Sequence, residues 1–271
     1  MKLNILTIST LILLIGNSCR KGCTDPAASN FDERAKRDNN SCTYDTSSSD
    51  RSNISLMLHH KYDSQNFALN TDFVDDSGNT IQFTRAEFYL SNPVYMDDNM
   101  TTIDSPSAYA LISLDDSNID FGTVIGDTHV HMMNFLFGID STTNHADPAV
   151  NAVDWSDLDY QTPSTHWSWN NGYIFLMLEG NVDIDNNGSY DAGEDFIFHI
   201  GTDALSKRTN NIMSHFNSVS GMSHTIHLDI DWAAFIDGID LSVDNSTHTG
   251  NNMPLATIVS DNSADVITIH P

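Results

Sequence analysis

From Ile54 onward the apolar residues fall in short runs separated by turns rich in Asp, Asn, Ser and Gly. Ile54-Ser55-Leu56-Met57-Leu58-His59-His60 alternates with period two, so residues 54, 56, 58 and 60 share one face of a strand while His59 points the other way. The same pattern predicts strands at 80–83, 86–90, 108–114, 131–139, 173–178, 196–200, 223–230 and 267–269, with Asp76-Ser77-Gly78-Asn79 as a turn between strands. Helical periodicity is scarce: 232–236 is the best short helix and 203–217 a weaker one. Short strands at this spacing predict an all-β body, an antiparallel β-sandwich with few short helices.

The stretch 165–201 reads as a hairpin: an aromatic strand, a long acidic loop, and a second strand ending in Phe198-His199-Ile200-Gly201. Asp183, Asp185, Asn187, Ser189, Asp191 and Glu194 fill positions 1, 3, 5, 7, 9 and 12 of a calcium loop, with Gly188 at the sharp turn of position 6. A hard divalent cation needs six or more oxygens, and this spacing wraps them around one point. Strands flank the loop where a helix pair would make it a sensor. The expectation is a structural Ca²⁺ that stiffens the hairpin.

Upstream of residue 54 the pattern differs. Lys2 followed by the apolar run 5–15 reads as a signal peptide over 1–18, too short to span a bilayer. Gly16-Asn17-Ser18-Cys19 resembles a loose lipobox, which makes Cys19 a lipidated first residue and anchors the protein in the periplasm or on the cell surface. Cys23 and Cys42 then remain as an even pair in an oxidising compartment. Residues 19–45 resemble a short cysteine-bracketed module of Bacteroidetes-type secreted proteins, and the resemblance implies a Cys23–Cys42 disulfide. Residues 46–53 are a polar linker, leaving 54–271 as the β-domain.

Charge narrows the partners. A formal net charge of −26 repels nucleic acid and anionic membrane surfaces, so membrane association rests on the lipid anchor alone. Twelve His against eleven Lys and Arg is a high count. His129-Val130-His131 puts two imidazoles on one face of a strand, a spacing that can grip a metal but lacks further ligands nearby in sequence. His215, His224, His227 and His248 have no organised sequence context.

The phrases Glu87-Phe88-Tyr89-Leu90-Ser91-Asn92, Phe137-Gly138-Ile139-Asp140 with Asn144-His145, Trp167-Ser168-Trp169-Asn170-Asn171-Gly172-Tyr173, Leu178-Glu179-Gly180 and Phe198-His199-Ile200-Gly201 occur in the order seen in MbnP-like proteins, the copper-binding partners of methanobactin systems. The resemblance implies a secreted β-sandwich that binds copper through histidines and a tryptophan oxidised to kynurenine by a dihaem cytochrome c peroxidase-like partner. Carried onto matching positions, the copper candidates are His60, His199 and Trp167 or Trp169. Imidazole suits both copper oxidation states, and two His can supply a near-linear Cu(I) site. Alternation sets Trp167 and Trp169 on one face and His166 on the other.

Two functions are therefore expected: a lipid-anchored copper-binding protein acting in acquisition, storage or delivery, or a calcium-stabilised β-sandwich module that binds a glycan or protein at the cell surface. No nucleophile elbow or HExxH helix is present in the sequence, so the expectation is not an enzyme.

Overall fold

The alternating segment at the head of the body becomes strand β1, Arg51–Tyr62, whose Ile54, Leu56 and Leu58 are buried while the residues between them are not. The structure is a computed structural model that describes residues 20–23, 32, 34–38, 50–168 and 171–271. The chain divides into two compact units, Met1–Ser47 and Ser48–Pro271.

In the first unit, Lys21–Gly22 pairs in parallel with Arg37–Asp38, and Arg20 bridges Asp32 at 2.7 Å. Cys23 is buried and disulfide-bonded. The leader, Cys19 and Cys42 lie outside the described residues. Among the described residues no helix is long and apolar enough to cross a membrane.

The second unit is built from strands β2 (Thr80–Met96), β3 (Tyr109–Ser113), β4 (Asn118–Ile125), β5 (Thr128–Phe137), β6 (His166–Ser168), β7 (Gly172–Asp183), β8 (Asp195–Gly201), β9 (Ile212–Ser218), β10 (Ser223–Asp231), β11 (Ser246–Thr247) and β12 (Ile267–Ile269). Three short helices accompany them, α1 (Ser141–Asn144), α2 (Pro148–Asn151) and α3 (Met253–Asn262). The larger sheet runs β5-β2-β7-β8-β11 along its spine, with β9 beside β5, β3 beside β2 and β6 beside β7. The smaller sheet runs β12-β10-β1, with β4 on the other side of β1. Aromatic rings fill the space between the sheets: Trp232, which follows β10, lies 5.5 Å edge-to-face from Phe88 of β2. Burying each such ring contributes about 1.5–3 kcal/mol.

The all-β sandwich-like fold is as the pattern predicts, but its pairing is mixed. β1 and β10 run parallel from Asn53/Ser223 to Lys61/Asp231, and β8 and β11 also pair in parallel. Parallel neighbours need a long crossover, and about 160 residues separate β1 from β10, so no local pattern announces the pair. The predicted strands 80–83 and 86–90 are one strand, β2. Thr84 is the extra residue of a bulge, since Phe83 faces Gly180 while Arg85 faces Glu179. The weak helix at 203–217 is absent; a 3₁₀ turn at Asp203–Leu205 leads instead into Lys207–Arg208 and β9. The longest helix among the described residues, α3, is one the pattern missed, although Asn252 caps it and accepts the Leu255 N–H.

Candidate metal centre

The aromatic strand and β8 do not form one simple hairpin. His166–Ser168 folds back antiparallel on the start of β7, with His166 opposite Tyr173 and Ser168 opposite Gly172, and it is β7 that pairs with β8. Gly172 sits at φ +72, and the side chain of buried Asn144 occupies the space a Cβ would need. Asn144 Oδ1 accepts the Tyr173 N–H at 2.8 Å, so this corner is held from α1. His166 turns to the ring of Tyr173, 4.8 Å away. Trp167 points elsewhere: its ring presses on Gly201, where a Cβ would come within 2.7 Å of it. Trp169 lies outside the described residues.

This packing sets Trp167 beside the end of β8, where His199 stands. His199 Nε2 lies 2.9 Å from Glu179 Oε1 on β7. A carboxylate can only accept, so Nε2 carries the proton. Burial holds the His199 pKa below its ordinary value against the pull of Glu179, so the ring is neutral and Nδ1 keeps its lone pair. Glu179 is itself anchored by Arg85 at 3.2 Å. Burial pushes the Glu179 carboxyl up, but the hydrogen bond from His199 and the Arg85 charge outweigh it and hold the acid below its usual range.

His199 Nδ1 meets Nδ1 of His248 at 3.1 Å. His248 follows β11, which pairs with β8 at Phe198↔Thr247, and Thr249 Oγ1 donates to His199 O at 2.9 Å and accepts from Gly201 N at 3.0 Å. His248 lines a pocket of about 610 Å³ together with His145, Trp167, Thr202 and Met253 among others. His145 of this lining is held from behind by Asp203, which accepts from His145 Nε2 at 3.2 Å and from Asn144 Nδ2 at 2.7 Å. Thr202, next to Asp203 in the chain, has φ 99, a conformation that costs a β-branched residue about 1–3 kcal/mol and marks an over-determined segment.

The donor set fits a soft or borderline transition ion. Two nitrogens 3.1 Å apart fall within the roughly 4 Å that two bonds of about 2.0 Å can span. A carboxylate behind one ligand fixes its tautomer, as metal-binding His residues commonly require. The thioether of Met253 is a further soft donor on the pocket wall.

The MbnP family profile matches residues 51–253, well over half of the chain. The chain belongs to the MbnP family. The solved structure of MbnP from Methylosinus trichosporium is similar at 12% identity with a TM-score of 0.42, over 73% of this chain and 82% of that one. No curated protein matches the sequence.

In this MbnP-family chain the expected pairing of His60 with His199 does not form. The two residues stand in different sheets and share no partner. His60 Nδ1 accepts the indole N–H of buried Trp232 at 3.1 Å, and Nε2 donates to Asp116 O at 3.1 Å. Both nitrogens are spent inside the protein, which makes His60 a core-bracing residue. The histidine that stands beside His199 is His248. Its only local signal is Thr247-His248-Thr249-Gly250, which has no periodicity, and it reaches His199 through a two-residue strand.

Burial also sets the pH response of His60, whose pKa lies below its ordinary value despite the opposing Asp116 carbonyl. The unfolded chain takes up a proton near pH 6.5 that the folded chain refuses. This contribution is therefore complete above about pH 6.5 and is lost on acidification, by at most about 1.4 kcal/mol per pH unit. Urea midpoints at pH 7.5 and 5.5 should fall less in His60→Gln than in the parent. Equal falls would refute the assignment.

The acidic loop joins β7 to β8. Asp183, Asp185 and Glu194 bring carboxylate oxygens within 4.8 Å of one another. Buried Asp183 accepts the N–H groups of Asn187 at 3.0 Å and Gly188 at 2.9 Å, and Gly188 turns the chain at φ +81. Asn187 bonds Asp185 and Asp191, both at 3.1 Å, and Ser189 Oγ reaches Asn187 Oδ1. Glu194 closes the loop on Ile184 N and Asp191 N.

Proposed function

We propose that this MbnP-family protein binds copper as cargo at His199 and His248, outside the cytoplasm, for acquisition, storage or delivery. The observation that carries the reading is the 3.1 Å approach of the two Nδ1 atoms, with His199 backed by Glu179 and His248 on the pocket that Trp167 lines. Neutral imidazoles and a thioether suit Cu(I), and imidazoles alone suit Cu(II). His199 offers a lone pair already oriented by Glu179, while His248 must release its Nδ1 proton to ligate. Cys19 would tether the protein by lipid in the periplasm or on the cell surface. Copper titration of the protein lacking residues 1–18 should show an ion bound with submicromolar affinity that is lost in His199→Ala; weak uptake indifferent to that substitution would contradict the reading.

Trp167 is the tryptophan we assign to oxidation by a dihaem peroxidase-like partner. It is half-buried on the open pocket beside His248, where a docked protein can draw electrons from it. Trp232 is fully buried and bonded to His60. Peptide mapping of protein from its native host should find kynurenine at 167. A native tryptophan there would remove the modification from the account.

We also assign a structural Ca²⁺ to the loop 183–194. The support is the convergence of three carboxylates on one point, an arrangement that repels itself without a cation.

A further inference from the structure

A second histidine cluster lies on the larger sheet, built by a local irregularity in β9. The register of β5 against β9 runs Thr128↔Ser218, His129↔Asn217, Val130↔Phe216 and then jumps to Met132↔Met213. One residue, His131, therefore faces two, Ser214 and His215. A bulge of this kind re-aims a side chain. His215 has φ 41, and its ring lies 4.3 Å from that of His131 and 6.3 Å from that of His129. One ring nitrogen from each of the three lies within 4.8 Å of the others.

Two further features point to a ligand. His129 Nδ1 is 3.0 Å from Asn217 Oδ1, an acceptor, so Nδ1 carries the proton and Nε2 is left to ligate. His131 Nδ1 is buried and makes no hydrogen bond, yet lies 2.7 Å from Asp98 Oδ1, off the line of a hydrogen bond. Asp98 thus stands beside the cluster as a charge neighbour, while the three imidazoles alone converge within 4.8 Å. Asp98 also approaches His129 Nε2 at 3.9 Å.

We propose that His129, His131 and His215 form a site for a divalent first-row transition ion of the zinc class. Three imidazoles with a water in the fourth position are a four-coordinate set suited to Zn²⁺. The site shares no residue with the His199–His248 pair and stands or falls without it. It would staple β5 to β9 across the bulge.

The test is Zn²⁺ titration by calorimetry, with Co²⁺ absorption as a second readout. The parent should bind Zn²⁺, and Co²⁺ should show the intense visible bands of tetrahedral coordination. His215→Asn is the preferred variant because Asn tolerates the left-handed backbone that His215 adopts. His215→Asn and His131→Ala should each weaken Zn²⁺ binding by about tenfold or more and abolish the Co²⁺ bands, and Asp98→Asn should weaken it less. His199→Ala should leave both unchanged. Zn²⁺ affinity indifferent to His215→Asn and His131→Ala, or lost in His199→Ala alone, overturns the proposal.

Discussion

His199→Ala or His248→Ala should each lower copper affinity by roughly a hundredfold or more, while His60→Gln leaves it unchanged within error. The reasoning is geometric. His199 and His248 set imidazole nitrogens 3.1 Å apart, with His248 on the pocket that holds Trp167 and Met253. Removing either leaves a single nitrogen where two were oriented. Glu179→Gln should fall between, with a loss of about 10- to 100-fold, because it alters the group that fixes the His199 tautomer and leaves the ligand in place. His60→Gln should behave in the opposite sense, disturbing the acceptor of the Trp232 N–H and so lowering stability, with a buried donor left badly paired costing about 1–3 kcal/mol. Copper affinity and urea midpoint thus separate the two histidines. Copper loss in His60→Gln with retention in His199→Ala would reverse the assignment.

Calcium should raise the thermal midpoint by several degrees over the same protein in EGTA. At about a hundredfold excess over its dissociation constant, a native-state ligand adds about 2.7 kcal/mol. For a domain of this size each kcal/mol moves the midpoint by about 2–4 °C. The double variant Asp185→Asn, Glu194→Gln should lose this shift. Its midpoint in EGTA should equal or exceed the parent's, because Asp183, Asp185 and Glu194 crowd their charges within 4.8 Å and each close pair of like charges costs about 1 kcal/mol in a water-like medium. A parent midpoint indifferent to calcium would remove the ion and leave a hydrogen-bonded turn.

Period-two alternation made β1, β3, β8 and β10 legible because each has one face in the core, and β7 was legible as an unbroken apolar run because both its faces are covered. It failed where a bulge resets the phase. At Thr84 one strand reads as two, and at Ser214-His215 a strand with a polar interruption reads as a weak helix. The site was half legible. His199 and Trp167 sit in dense motifs, and Gly172 and Gly201 in those motifs are there to admit Asn144 and Trp167. His248 could not be found, because a parallel two-residue strand that begins 45 residues beyond the end of β8 leaves no periodic mark. His60 misled for the converse reason. A histidine at the end of an apolar face reads as an available ligand until the buried Trp232 that claims it is located. His215 was invisible because its direction depends on a bulge and a left-handed φ, both consequences of tertiary pairing.

The most direct test of the copper assignment is anomalous diffraction at the copper edge from crystals grown with one equivalent of copper per chain. The account predicts a single strong peak bonded to Nδ1 of His199 and Nδ1 of His248, with Glu179 still on His199 Nε2. A peak at His60, or occupancy confined to His129, His131 and His215 with none at His199, would contradict it.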